Sequence, residues 1–166
     1  MSWNSFGCSH ASAPDGTPCP DTDLCNGEET CQTGACTPSA PLVCDDGDQC
    51  TTDVCDATRG CQFPEIESFD GIACLCSVGL ASPGCATPGA VVGQFSKGCA
   101  LAARATDAKV RKQRRLLDAA VKKFNKAGGK TRRFVSKNKL SAGCGDAINT
   151  TLADMIGRTL NLRGRI

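Results

Sequence analysis

The chain of 166 residues has one histidine, His10, and no apolar stretch near the roughly 18–20 residues that a membrane span needs. It also lacks G-x-S-x-G, a P-loop, H-E-x-x-H and the Rossmann glycine pattern, so no familiar catalytic constellation assembles from its residues. His10 lies in a polar start without a nucleophile signature beside it. No C-x-x-C redox spacing occurs, and Cys8-Ser9-His10 is not the C-x-x-C-H of covalent haem attachment. A chain without enzymatic activity is expected. The residues after Met1 are polar and make no signal peptide, so Met1 is read as a mature or artificial start. Large apolar residues are scarce up to position 73: Trp3, Phe6, Leu24, Leu42, Val43, Val54, Phe63, Ile66, Phe69 and Ile72 are nearly all of them. That is too little to offset chain entropy by hydrophobic burial.

Cysteine is what this part has in abundance. Twelve of the fourteen cysteines precede residue 86: Cys8, Cys19, Cys25, Cys31, Cys36, Cys44, Cys50, Cys55, Cys61, Cys74, Cys76 and Cys85. From Cys19 they form two ladders, C-x5-C-x5-C-x4-C and C-x5-C-x4-C-x5-C, separated by seven residues. So many thiols point to an oxidising compartment outside the cell or on its surface, with disulfides standing in for a core. Each such bridge contributes on the order of 2–4 kcal/mol. Asp, Gly, Thr and Asn between the cysteines predict tight turns and short strand pairings. The spacing leaves the connectivity open. Cys99 and Cys144 are the two remaining thiols, and with an even set upstream a Cys99–Cys144 bridge is the economical pairing.

Charge divides the chain as sharply. Residues 1–73 hold thirteen carboxylates against Arg59, a net −12, whereas residues 74–166 hold eighteen Lys and Arg against four Asp, a net +14. Three regions follow: an acidic disulfide-rich part (1–73), a linker with cysteines (74–98), rich in Gly, Pro, Ser and Ala from residue 77, and a basic helical domain (99–166). In the last, Val110, Leu117, Val121 and Phe124 recur at helical spacing, and Gly128-Gly129 is expected to stop that helix. Ser141 is a plausible N-cap for a final helix with Cys144, Ile148, Leu152, Met155 and Leu162 on one stripe, broadened by Ile156 and Leu160. The predicted fold is a small disulfide-rich, mostly irregular or short-strand N-terminal half followed by an α-helical hairpin or three-helix bundle.

Two sets of residues offer binding chemistry. Arg111, Lys112, Arg114, Arg115, Lys122, Lys123 and Lys126 form a basic face suited to an anionic polymer, polysaccharide or nucleic acid. A solvated helix surface is the plainer account of such a run. Phe124 and Phe134 belong to the apolar stripes rather than to a base-stacking platform. Asp45, Asp46, Asp48 and Asp53 could give calcium hard oxygen ligands, although EF-hand spacing is absent and turn capping explains them as well. No cofactor is otherwise expected. Zinc has little support, because Cys74-Leu75-Cys76 comes with one histidine in the chain. Asn149-Thr150-Thr151, an N-x-T triplet, falls inside the last helix and is read as ordinary helix.

Cys44, Asp45, Asp46, Gly47, Cys50, Thr51, Asp53, Cys55, Asp56, Gly60 and Cys61 resemble the Dictyostelium-type (CTDC) cysteine-rich repeat, roughly CDDGNxCTxDxCDxxTGCxH. The chain departs from it at Arg59, where Thr is usual, and at Phe63, where His is usual. The DGTPC ladder looks like the unit that alternates with this repeat, and Gly7-Cys8-Ser9-His10 fits the repeat's GCxH end. The resemblance implies an extracellular structural or adhesive role and a chain that begins inside a tandem array, leaving Cys8 without its usual upstream partner. KNKLSAGCGDAINTTLADMIGR is similar to a helical C-terminal unit of exported environmental bacterial proteins. Together these readings predict a secreted structural protein that self-associates head to tail, even into filaments, through its opposed charges. The alternative is a polyanion-binding module.

Overall fold

The computed structural model describes residues 13–80 and 83–166, in two compact units, Met1–Pro64 and Glu65–Ile166. Cys8 and His10 lie outside the described residues. The division comes earlier than the charge pattern suggests, and its cause is specific. Glu65 and Glu67 pair with Arg158 and Arg165 of the last helix, and Ile72 is buried in the helical core.

In the first unit β1 (Thr30–Gln32) pairs with β2 (Ala35–Thr37), and β3 (Val54–Asp56) pairs with β4 (Gly60–Gln62), both antiparallel. Cys31 faces Cys36 across one hairpin and Cys55 faces Cys61 across the other, yet neither facing pair is bonded. Instead Cys19 bonds Cys36 and Cys44 bonds Cys61, each closing 17 residues, and Cys25–Cys55 joins the two ladders. Each ladder is thus closed from its first to its fourth cysteine. Cys31, Cys50 and Cys74 are disulfide-bonded too, and no described cysteine is free. Among the described residues of this unit, the buried side chains are Cys19, Cys31, Cys50 and Glu29. Leu24, Leu42, Val43, Val54 and Phe63 are exposed. Sulfur is the interior here, as the cysteine density and the apolar shortage lead one to expect.

The second unit contains α1 (Phe69–Val78), α2 (Gly89–Ala103), α3 (Val110–Ser136) and α4 (Ala142–Arg165). Ser68 caps α1 by accepting from the Asp70 N–H (3.1 Å), and Ser141 caps α4 by accepting from the Cys144 N–H (3.3 Å). α3 packs between α2 and α4, while α1 packs against both of those helices. Leu117, Phe124, Ile148, Leu152 and Met155 fill the interior as their spacing predicts, whereas Val110 and Leu160 are exposed.

Three expectations are corrected. The Gly/Pro/Ser/Ala-rich stretch carries the end of α1 and the start of α2, so it is not a continuous linker. Gly98, within it, lets the Phe124 ring sit where a Cβ would be: a Cβ there would stand 2.3 Å from Phe124 Cε1. Gly128-Gly129 does not end α3, because Gly128 is held against Asn149 and Leu152 of α4, and tertiary packing outweighs weak local propensity. Cys99 does not bond Cys144. With α2 starting ten residues before it, Cys99 is far from that helix's first turn and bonds Cys76 of α1 (Cα–Cα 5.8 Å). Cys144, in the first turn of α4, bonds Cys85 ahead of α2 (Cα–Cα 5.6 Å).

Candidate partner-binding surfaces

α3 carries ten Lys and Arg against a single carboxylate, Asp118. Asp118 is engaged by Arg163 of α4 at 3.1 Å. Of the ten cations none makes an ion pair or side-chain hydrogen bond among the described residues. The buried positions of the helix, from Leu117 to Thr131, occupy one side. On the opposite side Arg111, Arg115, Lys122, Lys126 and Arg133 recur in steps of four and seven, which keeps them in one row. At 1.5 Å per residue the row runs about 33 Å.

Sequence reasoning finds Arg111, Lys112, Arg114, Arg115, Lys122, Lys123 and Lys126, and all but the half-buried Lys123 are exposed. It misses Lys130, Arg132 and Arg133, which extend the same helix because the glycine pair does not break it. Gln94 of α2 joins Lys126, Lys130 and Arg133 around an open groove, and Lys137 and Lys139 line its continuation toward Phe134. A second depression at the start of α3 is lined by Lys109, Arg111, Lys112 and Arg115 together with Asp107. Cations at a helix N-terminus oppose the macrodipole, and like charges four apart repel. α3 therefore keeps unfavourable electrostatics that an anionic partner would relieve.

The acidic unit presents the opposite chemistry. Asp45, Asp46 and Asp53 place carboxylate oxygens within 4.8 Å of one another on the surface, and Asp48 stands outside that group. Three of the four aspartates cap turns: Asp45 accepts from the Gly47 N–H, Asp46 from the Asp48 N–H and Asp48 from the Cys50 N–H, each at 2.8 Å. The Thr51 hydroxyl also donates to Asp46 (3.1 Å). The arrangement carries no metal assignment beyond that turn chemistry. Asn149-Thr150-Thr151 lies within α4, where both threonine hydroxyls donate to carbonyls one turn back.

Comparison with known proteins bears on the first unit's repeat. Residues 43–66 match the Dictyostelium (slime mold) repeat. Protein psiQ of Dictyostelium discoideum is 38% identical over 73 residues, 42% of this chain but 7% of psiQ. The chain thus spans a small part of that relative's length. These matches give no support to the resemblance of the α4 region to an exported bacterial unit. No solved structure matches. Among the described residues no helix is long and apolar enough to cross a membrane.

Proposed function

We propose that the chain is a non-enzymatic extracellular structural or adhesive module that self-associates through its two charged units. The observation that carries this reading is the unpaired cationic row of α3 in a chain whose other unit bears ten carboxylates against Arg59, a net −9. A surface of one sign with no partner on its own helix and a second surface of the opposite sign favour head-to-tail contact, which can propagate into rings or fibres. The disulfide-bonded state of the described cysteines supports an oxidising, extracellular setting. The slime-mold repeat agrees with it. Sedimentation velocity tests the reading. Species larger than the monomer are expected at low ionic strength, dispersing near 1 M salt, where the Debye length is about 3 Å. A monomer at every ionic strength overturns it.

The length of the row favours a second reading, an anionic polymer held along α3. Heparin or DNA columns should then retain the chain at low salt. Neutralising Arg111, Arg115, Lys122, Lys126 and Arg133 together should abolish retention and flatten its salt dependence by about 0.7–0.9 log units per lost contact for a nucleic acid. The absence of exposed aromatics from the row supports backbone charge, not base stacking, as the recognised feature.

A further inference from the structure

The first ladder contains a cleft of about 720 Å³ lined by the Pro20–Leu24 side of the chain and by Ala40–Val43. Glu29 lines it and is only 6% exposed, which makes it the one carboxylate buried among the described residues. Glu29 Oε2 accepts from the Asp21 N–H at 3.2 Å, but Oε1, fully buried, accepts no hydrogen bond. Beside it Asn26 Nδ2 donates to Asp21 Oδ2 (3.0 Å), leaving the buried Asn26 Oδ1 without a donor. A buried carboxylate oxygen calls for a cationic or N–H partner. The unit's one Lys or Arg, Arg59, makes no ion pair among the described residues. No described cation pairs with Glu29, and one supplied from outside the unit would satisfy it.

The lining indicates its kind. Leu24, Leu42 and Val43 line the cleft and are exposed, Val43 at 85%. An apolar lining together with a buried carboxylate suits a side chain with an alkyl stem and a charged tip, which is lysine or arginine. It suits a metal ion less well, since the one group of three carboxylates at ligating distance among the described residues is Asp45, Asp46 and Asp53, outside this cleft. We infer that the Glu29 cleft receives a lysine or arginine from the α3 row of a second copy of the chain. The inference rests on the self-association reading and names the acceptor site for it. Glu29 supplies the buried charge, Asp21, Asp23 and Glu28 add to it from the same lining, and Leu24, Leu42 and Val43 cover the stem.

A complementation experiment on the full chain tests it by sedimentation velocity at low ionic strength. Glu29→Gln keeps the side chain's shape and removes its charge, and self-association should weaken about tenfold or more. Asp15→Asn removes the same charge away from the cleft and still accepts from the Thr33 N–H, so it should weaken association less than about threefold. Asp21→Asn should act in the same direction as Glu29→Gln, and disulfide mapping that returns the bridges of the parent chain establishes that each variant folds. A chain with Arg111, Arg115, Lys122, Lys126 and Arg133 changed to Gln should be monomeric alone. Mixed with Glu29→Gln chains it should form a one-to-one dimer that grows no further, since only one cleft meets one intact row.

A mixture that remains monomeric, or Glu29→Gln behaving like Asp15→Asn in a parent that does associate, overturns the cleft and leaves self-association standing. A parent that never associates removes the underlying reading instead. Loss of parental association on adding EDTA would make a divalent cation, not the α3 row, the bridging charge and overturn the inference.

Discussion

Thr33 shows how one residue can be at odds with the turn it occupies. The β1–β2 hairpin closes through Thr33-Gly34, both at positive φ (50° and 81°), which is the pattern of a type I′ turn. Glycine tolerates this backbone, but a β-branched residue pays about 1–2 kcal/mol for it. The Asp15 carboxylate helps hold the strained residue by accepting its N–H at 2.7 Å. Thr33→Asn should retain that bond, relieve part of the strain and raise the thermal midpoint under non-reducing conditions by an amount worth about 0.5–1 kcal/mol. An unchanged or lower midpoint would contradict this account. The other hairpin turns on Asp56, whose carboxylate accepts from the Thr58 hydroxyl (2.7 Å), the Thr58 N–H (2.9 Å) and the Arg59 N–H (3.0 Å). The Thr58 side-chain and backbone hydrogen bonds are the main reason its pKa lies below the ordinary aspartate value. Because the folded value is the lower one, the carboxylate's contribution is present at neutral pH and is lost as pH falls through that depressed value. Carboxyl carbon shifts followed by NMR should show Asp56 titrating below free aspartate, and Thr58→Val should move it back up.

At the scale of elements, α3 and its glycines separate packing from propensity. Gly98→Ala would put a Cβ 2.3 Å from the Phe124 ring, which is fully buried and 5.8 Å from the Phe95 ring. A cost of about 1–3 kcal/mol is expected. Gly129 has nothing within 4 Å of an added Cβ and is exposed in mid-helix, so Gly129→Ala should stabilise α3 by about 0.5–1 kcal/mol. Urea unfolding followed at 222 nm distinguishes the two, and equal effects of either sign would contradict the packing argument. The same glycines mark what the sequence made legible. The apolar period of α3 and α4, the Ser141 cap and the exposed basic face can be read from side-chain spacing, because spacing is a local property. The helix that runs through Gly128-Gly129 cannot, since it depends on Asn149 and Leu152 arriving from α4. Cysteine parity likewise says that Cys99 and Cys144 need partners without saying which, and the early start of α2 decides it. The Glu29 cleft leaves no trace in spacing, for it exists only once the loop around Ala40 folds over the first ladder.

At the scale of the molecule, the two units are stabilised by different physics, and reduction should separate them. The first buries three cysteines and Glu29 among its described residues, with its aliphatic side chains left at the surface. Cys25–Cys55 spans 30 residues and ties one ladder to the other, while Cys19–Cys36 and Cys44–Cys61 close each ladder. Cutting bridges of this kind removes about 2–4 kcal/mol apiece, and no apolar interior remains to hold the hairpins. The second unit surrounds Phe124, Leu117, Ile148 and Met155 with helices, so Cys76–Cys99 and Cys85–Cys144 reinforce a core that already exists. Titration with a phosphine reductant should therefore erase the dispersed amide signals of residues 13–64 first. Most of the ellipticity at 222 nm should persist at 25 °C, with a lower thermal midpoint. Simultaneous loss of both signals would mean that the helices also depend on sulfur crosslinks. Retention of the hairpin signals after complete reduction would mean that the first unit has another source of stability, and the assignment of its interior to disulfides would be wrong.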